Sequence, residues 1–140
     1  SWSPGIGEKM ALNKEKVMIL VQRRLSLIQG ISRLTAELAD ALSRRDEVSV
    51  NMLLQMRADE MGKLDECMEE IWKTGEEGVS ETEELRHLLT CDPFRETAGP
   101  GYEERKIFEI RQKTQALIKK LQEEDRKINR SVAGNQSFYD

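Results

Sequence analysis

Two apolar stripes at helical spacing, mirrored about one short polar stretch, constrain the fold of this chain more than any other feature. The first stripe contains Val17, Val21, Ile28, Ile31, Leu38 and Leu42, and the second contains Val50, Leu54, Met61, Leu64, Met68 and Ile71. Steps of three and four residues place each set on one face of an α-helix. Because the polar link at 44–47 is short, the two helices must run antiparallel with these faces in contact. The sequence therefore predicts a helical hairpin.

Folding this hairpin at Asp46 brings most apolar residues of the two stripes into shared layers. The apolar layers are Leu42 with Val50, Leu38 with Leu54, Ile31 with Met61, Ile28 with Leu64 and Val21 with Ile71, and Arg24 falls opposite Met68. The interruption of the first stripe at Thr35 falls opposite the interruption of the second at Arg57. A polar layer inside an apolar seam can fix the register of two helices at some loss of stability. We therefore treat Thr35 and Arg57 as candidates for fixing the register.

The rest of the chain predicts one short helix and one long one. A Ser-x-x-Glu capping pattern at Ser80 and Glu83 begins the short helix, and a linker with two Pro and two Gly at 92–101 precedes the long one. The predicted helices are 13–44, 48–73, 80–90 and 103–130, with a flexible leader at 1–12 and a tail at 131–140. The predicted fold is all-α, a single domain formed by an antiparallel three-helix bundle, or a long hairpin plus a third helix, with a short extra helix in the second connection. Charged residues at 34% and aromatics at 5% suit such a bundle.

The two flanks of the hairpin differ in apolar content. One of them, the leucine flank, contains Leu20, Leu27, Leu34 and Leu53. We expect the last helix to dock there through Ile107, Ile110, Thr114, Leu117, Leu121 and Ile128. The opposite flank keeps a smaller apolar cluster near the open end of the hairpin, formed by Met18, Leu25 and Trp72, which is a candidate contact surface. Met52 and Met56 lie on the outer side of the second helix, where either the linker or the short helix covers them or a partner binds them.

Charge and hydropathy exclude several classes of function. The net charge of −4 argues against a nucleic-acid partner, since such proteins usually present a basic face to the phosphates. No apolar run reaches the roughly 18 residues of a membrane span, and the first residues lack the pattern of a signal peptide. The sequence therefore predicts a cytoplasmic protein without membrane insertion.

The residues that carry chemistry are few. Cys67 and Cys91 have no metal-ligand spacing, which favours free thiols over a disulfide. His87, the single histidine, lies near Glu83 and Glu84, and we interpret it as a solvated or locally paired side chain rather than a catalytic or metal-binding one. Neither a phosphate-binding loop nor a nucleophile elbow is present in the sequence. We predict no enzymatic activity, no cofactor and no metal.

The stretch from Ala41 to Asp65, ALSRRDEVSVNMLLQMRADEMGKLD, resembles the helical hairpin of flagellar export chaperones of the FlgN type. Members of that family have a helix ending in Ala-Leu, a short acidic turn and a Leu-Leu-x-x-Arg-like segment. The resemblance covers mainly residues 17–72, with a compatible last helix. The acidic insert at 75–89 and the Pro/Gly linker depart from the family pattern.

This resemblance implies a cytoplasmic chaperone that binds flagellar hook-filament junction or cap subunits and delivers them to the type III export apparatus. Family members use the C-terminal helical region for the client, which implies binding through Ile107, Ile110, Leu117 and Leu121, with the tail toward Phe138 and Tyr139. From the residues alone, Phe138 and Tyr139 are either a frayed terminus or a short peptide anchor. The alternative function is a structural coiled-coil adaptor or oligomerisation module, such as a homodimer, without an export client.

Overall fold

A computed structural model describes residues 11–139, with side chains described as far as Val132. Four helices follow one another: α1 (Lys14–Ser43), α2 (Glu47–Lys73), α3 (Val79–Thr90) and α4 (Tyr102–Tyr139). Residues 11–139 contain no strand, so the predicted all-α fold is confirmed. The last helix continues to Tyr139, past the predicted end near residue 130, and the first part of the predicted leader lies outside the described residues. None of the four helices is long and apolar enough to cross a membrane.

The ends of the hairpin helices are formed by local hydrogen bonds. Asn13 begins α1, where its side chain accepts from the Lys16 N–H at 3.0 Å, and Asp46 begins α2 by accepting from Ser49. The Ser49 hydroxyl and N–H hold the pKa of Asp46 below its usual range. Arg45 ends α1 in the left-handed region at φ 57°, and the N–H of Asp46 donates to the Ala41 carbonyl at 3.0 Å. This Schellman-type turn reverses the chain between α1 and α2.

Helix α1 is the central element, because both α2 and α4 pack against it. It buries residues around much of its circumference, namely Val17, Leu20, Val21, Leu25, Ile28, Ile31, Thr35, Leu38 and Ala41, whereas α2 buries only Leu53, Cys67 and Ile71. Leu54 and Met61 remain 47% and 39% exposed. The predicted layers of Leu38 with Leu54 and of Ile31 with Met61 are therefore not buried. Helix α2 is rotated so that Leu53 and Cys67 face α1 instead, and the Cys67 thiol donates to the Leu20 carbonyl at 3.4 Å.

Helix α4 packs against α1 beside Ala39, which the sequence did not select as a docking position. Ala39 of α1 and Ile128 of α4 line the same surface groove, whereas Leu34 lines a different groove formed by α1 and α2 alone. Leu20 nevertheless belongs to the core that contains Ile107 and Ile110, and Leu34 and Ile128 pack against the same smaller core of Leu38, Ala41 and Leu53. The prediction compared only the apolar residues of the two hairpin helices. Helix α3 also contributes, because its Leu85 and Leu88 join the same core as Ile107.

The predicted contact cluster of Met18, Leu25 and Trp72 is corrected by this arrangement. Leu25 is buried in the core with Ile107 and Ile110, because α4 lies over its flank. Met18 is half-buried and packs against that core, while Trp72 stays exposed. These three residues therefore do not form one exposed surface.

Helix α3 begins two residues before the predicted capping pattern and places a carboxylate inside the protein. Gly78 is its N-cap, so Glu81 rather than Glu83 occupies the third helical position. Glu81 is 1% exposed, and both of its carboxylate oxygens are buried without a hydrogen-bond partner. Burial of a polar group without a partner costs free energy.

We expect Glu81→Met to raise the free energy of unfolding by about 1 kcal/mol, because an apolar side chain of similar volume needs no partner in this position. Chemical denaturation measures the change, and the exposed Glu83→Met is the control, expected to change it by less than about 0.5 kcal/mol. A loss of stability in Glu81→Met alone would show that the carboxylate stabilises the start of α3.

Candidate functional site

An open cleft between α2 and α4, which we name the α2–α4 groove, is the main candidate site. Its volume is about 360 Å³. Leu64 and Met68 of α2, Leu89 of α3 and Ile118 of α4 provide its apolar walls. Arg24 and Arg111 contribute cationic groups, and Asp65 of α2 contributes one carboxylate. This size is within the usual range of ligand-binding clefts.

The groove exists because α2 and α4 both pack against α1 and make little direct contact with each other. Helix α3 contacts α4 but is only 12 residues long, so it covers one end of the cleft. Further along, Arg57 of α2 reaches Asp125 of α4, where its Nη2 donates to the two carboxylate oxygens at 2.7 and 2.9 Å. Between these two points the cleft remains open to solvent.

The apolar stripe that the sequence assigned to the hairpin seam faces this cleft in part. Leu54 and Met61 are spaced three and four residues from Arg57, and Met61 is spaced in the same way from Leu64. That spacing puts them on one helix face, the face from which Arg57 reaches α4. Of the six residues in its apolar stripe, helix α2 thus leaves Leu54 and Met61 exposed on this side of the bundle.

Two arginines of the groove lack a carboxylate partner. Arg111 is 3% exposed, and its Nη1 donates to the Leu88 carbonyl at 3.1 Å and to the Cys91 sulfur at 3.4 Å. Arg24 donates to the Met68 sulfur at 3.5 Å, and its Nε is buried without a partner. Within residues 11–132 neither guanidinium forms an ion pair.

The electrostatics of Arg24 reflect this environment. Burial, followed by the nearby charge of Arg111, lowers its pKa from the ordinary value, although it remains charged at neutral pH. A desolvated cation without a counter-ion costs free energy, which a carboxylate entering the groove would recover. The site is therefore suited to an apolar segment that carries an acidic group.

The residues predicted to bind a client are distributed unevenly around this site. Ile107 and Ile110 are buried in the core, and Leu117 and Leu121 are half-buried. The structure thus shows the face of α4 that carries Ile107 and Ile110 docked against the bundle. The side chains of Phe138 and Tyr139 lie outside the described residues, although the backbone of α4 continues through them.

Arg24, Arg111 and Ile118 were not predicted from the sequence as site residues. The sequence feature that could have indicated these site residues is an arginine inside an apolar stripe. Arg24 interrupts the stripe of α1 opposite Met68, and Arg111 lies one turn after Ile107 on the buried side of α4. A charged residue in such a position needs a partner, and the sequence alone does not show which residue supplies it.

No protein-family model, no curated protein and no solved structure matches this chain. The resemblance of 17–72 to the FlgN-type hairpin therefore stays a prediction, as do the absence of enzymatic activity and the absence of a cofactor. A function has to be argued from the groove and from the exposed surfaces of the chain.

A second exposed apolar row lies on the outer side of α2. Val48, Met52 and Met56 follow one another at four-residue intervals, and all three are exposed. Because both side chains are exposed, neither the linker nor the short helix α3 covers Met52 and Met56, and partner binding stays the other interpretation of this pair. Met56 also lines, with Leu34, a groove that contains Asp59, Glu60 and Lys63 and is more polar than the α2–α4 groove.

Proposed function

We propose that this protein is a helical binding module whose α2–α4 groove receives an amphipathic helix from a client protein. By resemblance, the client is a flagellar hook-filament junction or cap subunit, and the protein is a cytoplasmic chaperone that delivers it to the type III export apparatus. The observation that carries the proposal is the apolar stripe of α2 left uncovered beside two arginines that lack carboxylate partners. Helix-in-groove binding is a common mode of peptide recognition.

The uncovered stripe supports a helix as the bound element. Ile118 of α4 lines the cleft and is exposed, and Met61 of α2, one helical turn from the lining residue Leu64, is exposed beside it. A client helix laid along it would occupy the fourth position of a bundle, which α3 fills only at one end. Apolar residues of the client at three- and four-residue spacing would then bury these side chains.

The energetics define what the client must supply. Completing the burial of Met61 and Ile118 contributes about 1 kcal/mol each, since full burial of such a side chain is worth about 1.5–3 kcal/mol. A micromolar complex needs about 8 kcal/mol. The client's own apolar face, and a carboxylate that pairs with Arg24 or Arg111, must therefore provide the larger share.

The client would contact the exposed edge of α4, while the buried face of α4 stays packed against the bundle. Ile118 borders the cleft, whereas Ile107 and Ile110 hold α4 to α1 and α3. Leu117 packs against the same core from a half-buried position. Client binding at the groove therefore does not require α4 to leave the bundle.

The test is binding of purified junction and cap subunits to the full chain, measured by calorimetry, with Ile118→Asp as the test variant. We expect a specific complex with at least one subunit and at least about a 10-fold weaker affinity for Ile118→Asp, because the aspartate repels the client's carboxylate and removes apolar contact. Ile19→Asp on the exposed side of α1 is the matched control, expected to bind like the parent. Failure of every subunit to bind, or equal weakening by both variants, would overturn the proposal.

The row of Val48, Met52 and Met56 favours the second candidate, an adaptor that self-associates through α2. Four-residue spacing of exposed apolar residues is suited to packing of one helix on its symmetric copy. Light scattering of the full chain distinguishes the two functions. A dimer that Met52→Lys with Met56→Lys converts to a monomer, without any bound flagellar subunit, would support the adaptor.

A further inference from the structure

A group of metal-ligating side chains lies where α3 ends. His87 in the last turn of α3, Cys91 directly after the helix and Glu96 in the following turn offer a ring nitrogen, a thiol sulfur and a carboxylate oxygen, all within 4.8 Å of one another. The Nε2 of His87 and the Oε2 of Glu96 are 3.1 Å apart. The sequence predicted either a solvated or a locally paired His87. The side chain is locally paired, with Glu96 rather than with Glu83 or Glu84.

The local backbone fixes this arrangement. His87 and Cys91 are four residues apart, which places them one helical turn from each other on the same face. The N–H of Glu96 donates to the Asp92 carbonyl at 3.0 Å, and the N–H of Phe94 donates to the Asp92 carboxylate at 3.0 Å. The buried Pro93 accepts a hydrogen bond from Gln112 of α4 at 2.7 Å, which ties the turn to the bundle.

The donor set selects the kind of metal ion. Imidazole nitrogen, thiolate sulfur and carboxylate oxygen are the ligands of Zn²⁺, whereas Ca²⁺ and Mg²⁺ prefer oxygen alone. Ligand atoms at about 2.0–2.3 Å from a tetrahedral metal lie roughly 3.3–3.8 Å from one another. The observed cluster reaches this spacing by small rotations of His87 and Glu96, whose side chains are exposed and free to move.

The surroundings of Cys91 agree with a bound thiolate. Its sulfur is buried and accepts from the Arg111 Nη1 at 3.4 Å, and N–H donors to a ligating sulfur are a usual part of metal sites. One thiolate and one carboxylate balance the two charges of Zn²⁺, so the site itself is neutral beside Arg111.

We propose that His87, Cys91 and Glu96 bind one Zn²⁺ ion, with water as the fourth ligand. Binding forms bonds from Zn²⁺ to the imidazole nitrogen, the sulfur and a carboxylate oxygen, and the thiol proton passes to the solvent, together with the imidazole proton where His87 is charged. The ion would join the end of α3 to the turn that precedes α4. The site uses none of the apolar walls of the α2–α4 groove and stands independently of the proposed function.

The experiment titrates the full chain, freed of metal by a chelator, with Co²⁺ and then with Zn²⁺. We expect one equivalent of Co²⁺ to produce a thiolate-to-cobalt charge-transfer band and the visible bands of tetrahedral coordination, and Zn²⁺ to displace it. His87→Ala and Glu96→Gln, at exposed side chains, should weaken Co²⁺ binding at least about 10-fold, in line with loss of a ligand. Cys91→Ser should abolish the charge-transfer band.

Cys67→Ser is the matched control for the thiol. Cys67 is buried, its pKa is raised by burial, and its thiol donates to the Leu20 carbonyl, so this variant should keep the cobalt spectrum of the parent. Circular dichroism without metal verifies that each variant is folded, and the exposed His87 and Glu96 sites remain informative should Cys91→Ser unfold. A parent chain that binds no Co²⁺ at micromolar concentration, or a band that persists in His87→Ala at full affinity, would overturn the proposal.

Discussion

Replacing Asp125 by alanine is expected to lower the free energy of unfolding by about 2 kcal/mol, because it leaves the guanidinium of Arg57 unpaired between α2 and α4. The side chain of Arg57 is only 16% exposed and its Nε already lacks a partner, so solvent replaces little of the lost interaction. The side chain of Asp125 is 36% exposed. The reverse change, Arg57→Ala, should therefore cost only about 1 kcal/mol, since the carboxylate is rehydrated.

The double variant Arg57→Leu with Asp125→Leu is the control for this prediction. Replacing a partly buried ion pair by apolar side chains is often neutral, so we expect its stability to stay within about 1 kcal/mol of the parent. Urea denaturation of the parent, Asp125→Ala and the double variant gives the three values. Equal stability of the parent and Asp125→Ala would show that the pair contributes nothing.

This ion pair also changes the interpretation of the polar layer. The sequence placed Thr35 opposite Arg57 and predicted that this polar layer fixes the register of α1 and α2. In the structure the Thr35 hydroxyl donates to the Ile31 carbonyl of its own helix at 2.7 Å, and Arg57 pairs with Asp125. The polar group of α2 thus joins it to α4 rather than to α1.

Gly75→Ala is expected to destabilise the protein by about 2 kcal/mol, the usual cost of overpacking a filled interior. A Cβ atom there would lie 2.8 Å from Leu85 Cδ2 and 3.3 Å from Thr82 Cα. Leu85 is fully buried and the Thr82 contact is to backbone, so neither atom can move away easily. Gly75 therefore allows the chain after α2 to pack closely on α3.

Gly62→Ala is the matched control and should act in the opposite direction. Gly62 lies inside α2, and an added Cβ would meet nothing within 4 Å. Alanine there should stabilise the protein by up to about 1 kcal/mol through helix propensity. Thermal and chemical denaturation of both variants measure the difference, and a Gly75→Ala protein as stable as the parent would contradict the close packing.

The helices themselves could be predicted because their signals are local. The apolar periods place α1 and α2 within about two residues of their observed ends, the usual tolerance for such boundaries, and Asn13 and Asp46, residue types that favour N-cap positions, begin them. The start of α3 was predicted with Ser80 as the N-cap, whereas Gly78 is the N-cap in the structure and Glu81 is buried in the first turn.

The candidate sites could be predicted far less well. Arg24 and Arg111 lie in apolar stripes about 90 residues apart, and each becomes significant only when the two share a groove. His87 and Cys91 are close in sequence, but Glu96 joins them only through a turn that Gln112 of α4 holds in place. Residue types alone did not indicate either grouping.

The four helices and the antiparallel hairpin follow from the sequence, because hydrogen bonding and side-chain periodicity within a helix depend on near neighbours. The rotation of α2 about its axis and the position of α4 along α1 follow only from the packed bundle. Both choices depend on the summed packing of residues far apart in the chain, including the core leucines of α3, and several arrangements bury similar apolar area. That packing left Leu54 and Met61 exposed and buried Leu25 in the core that contains Ile107 of α4.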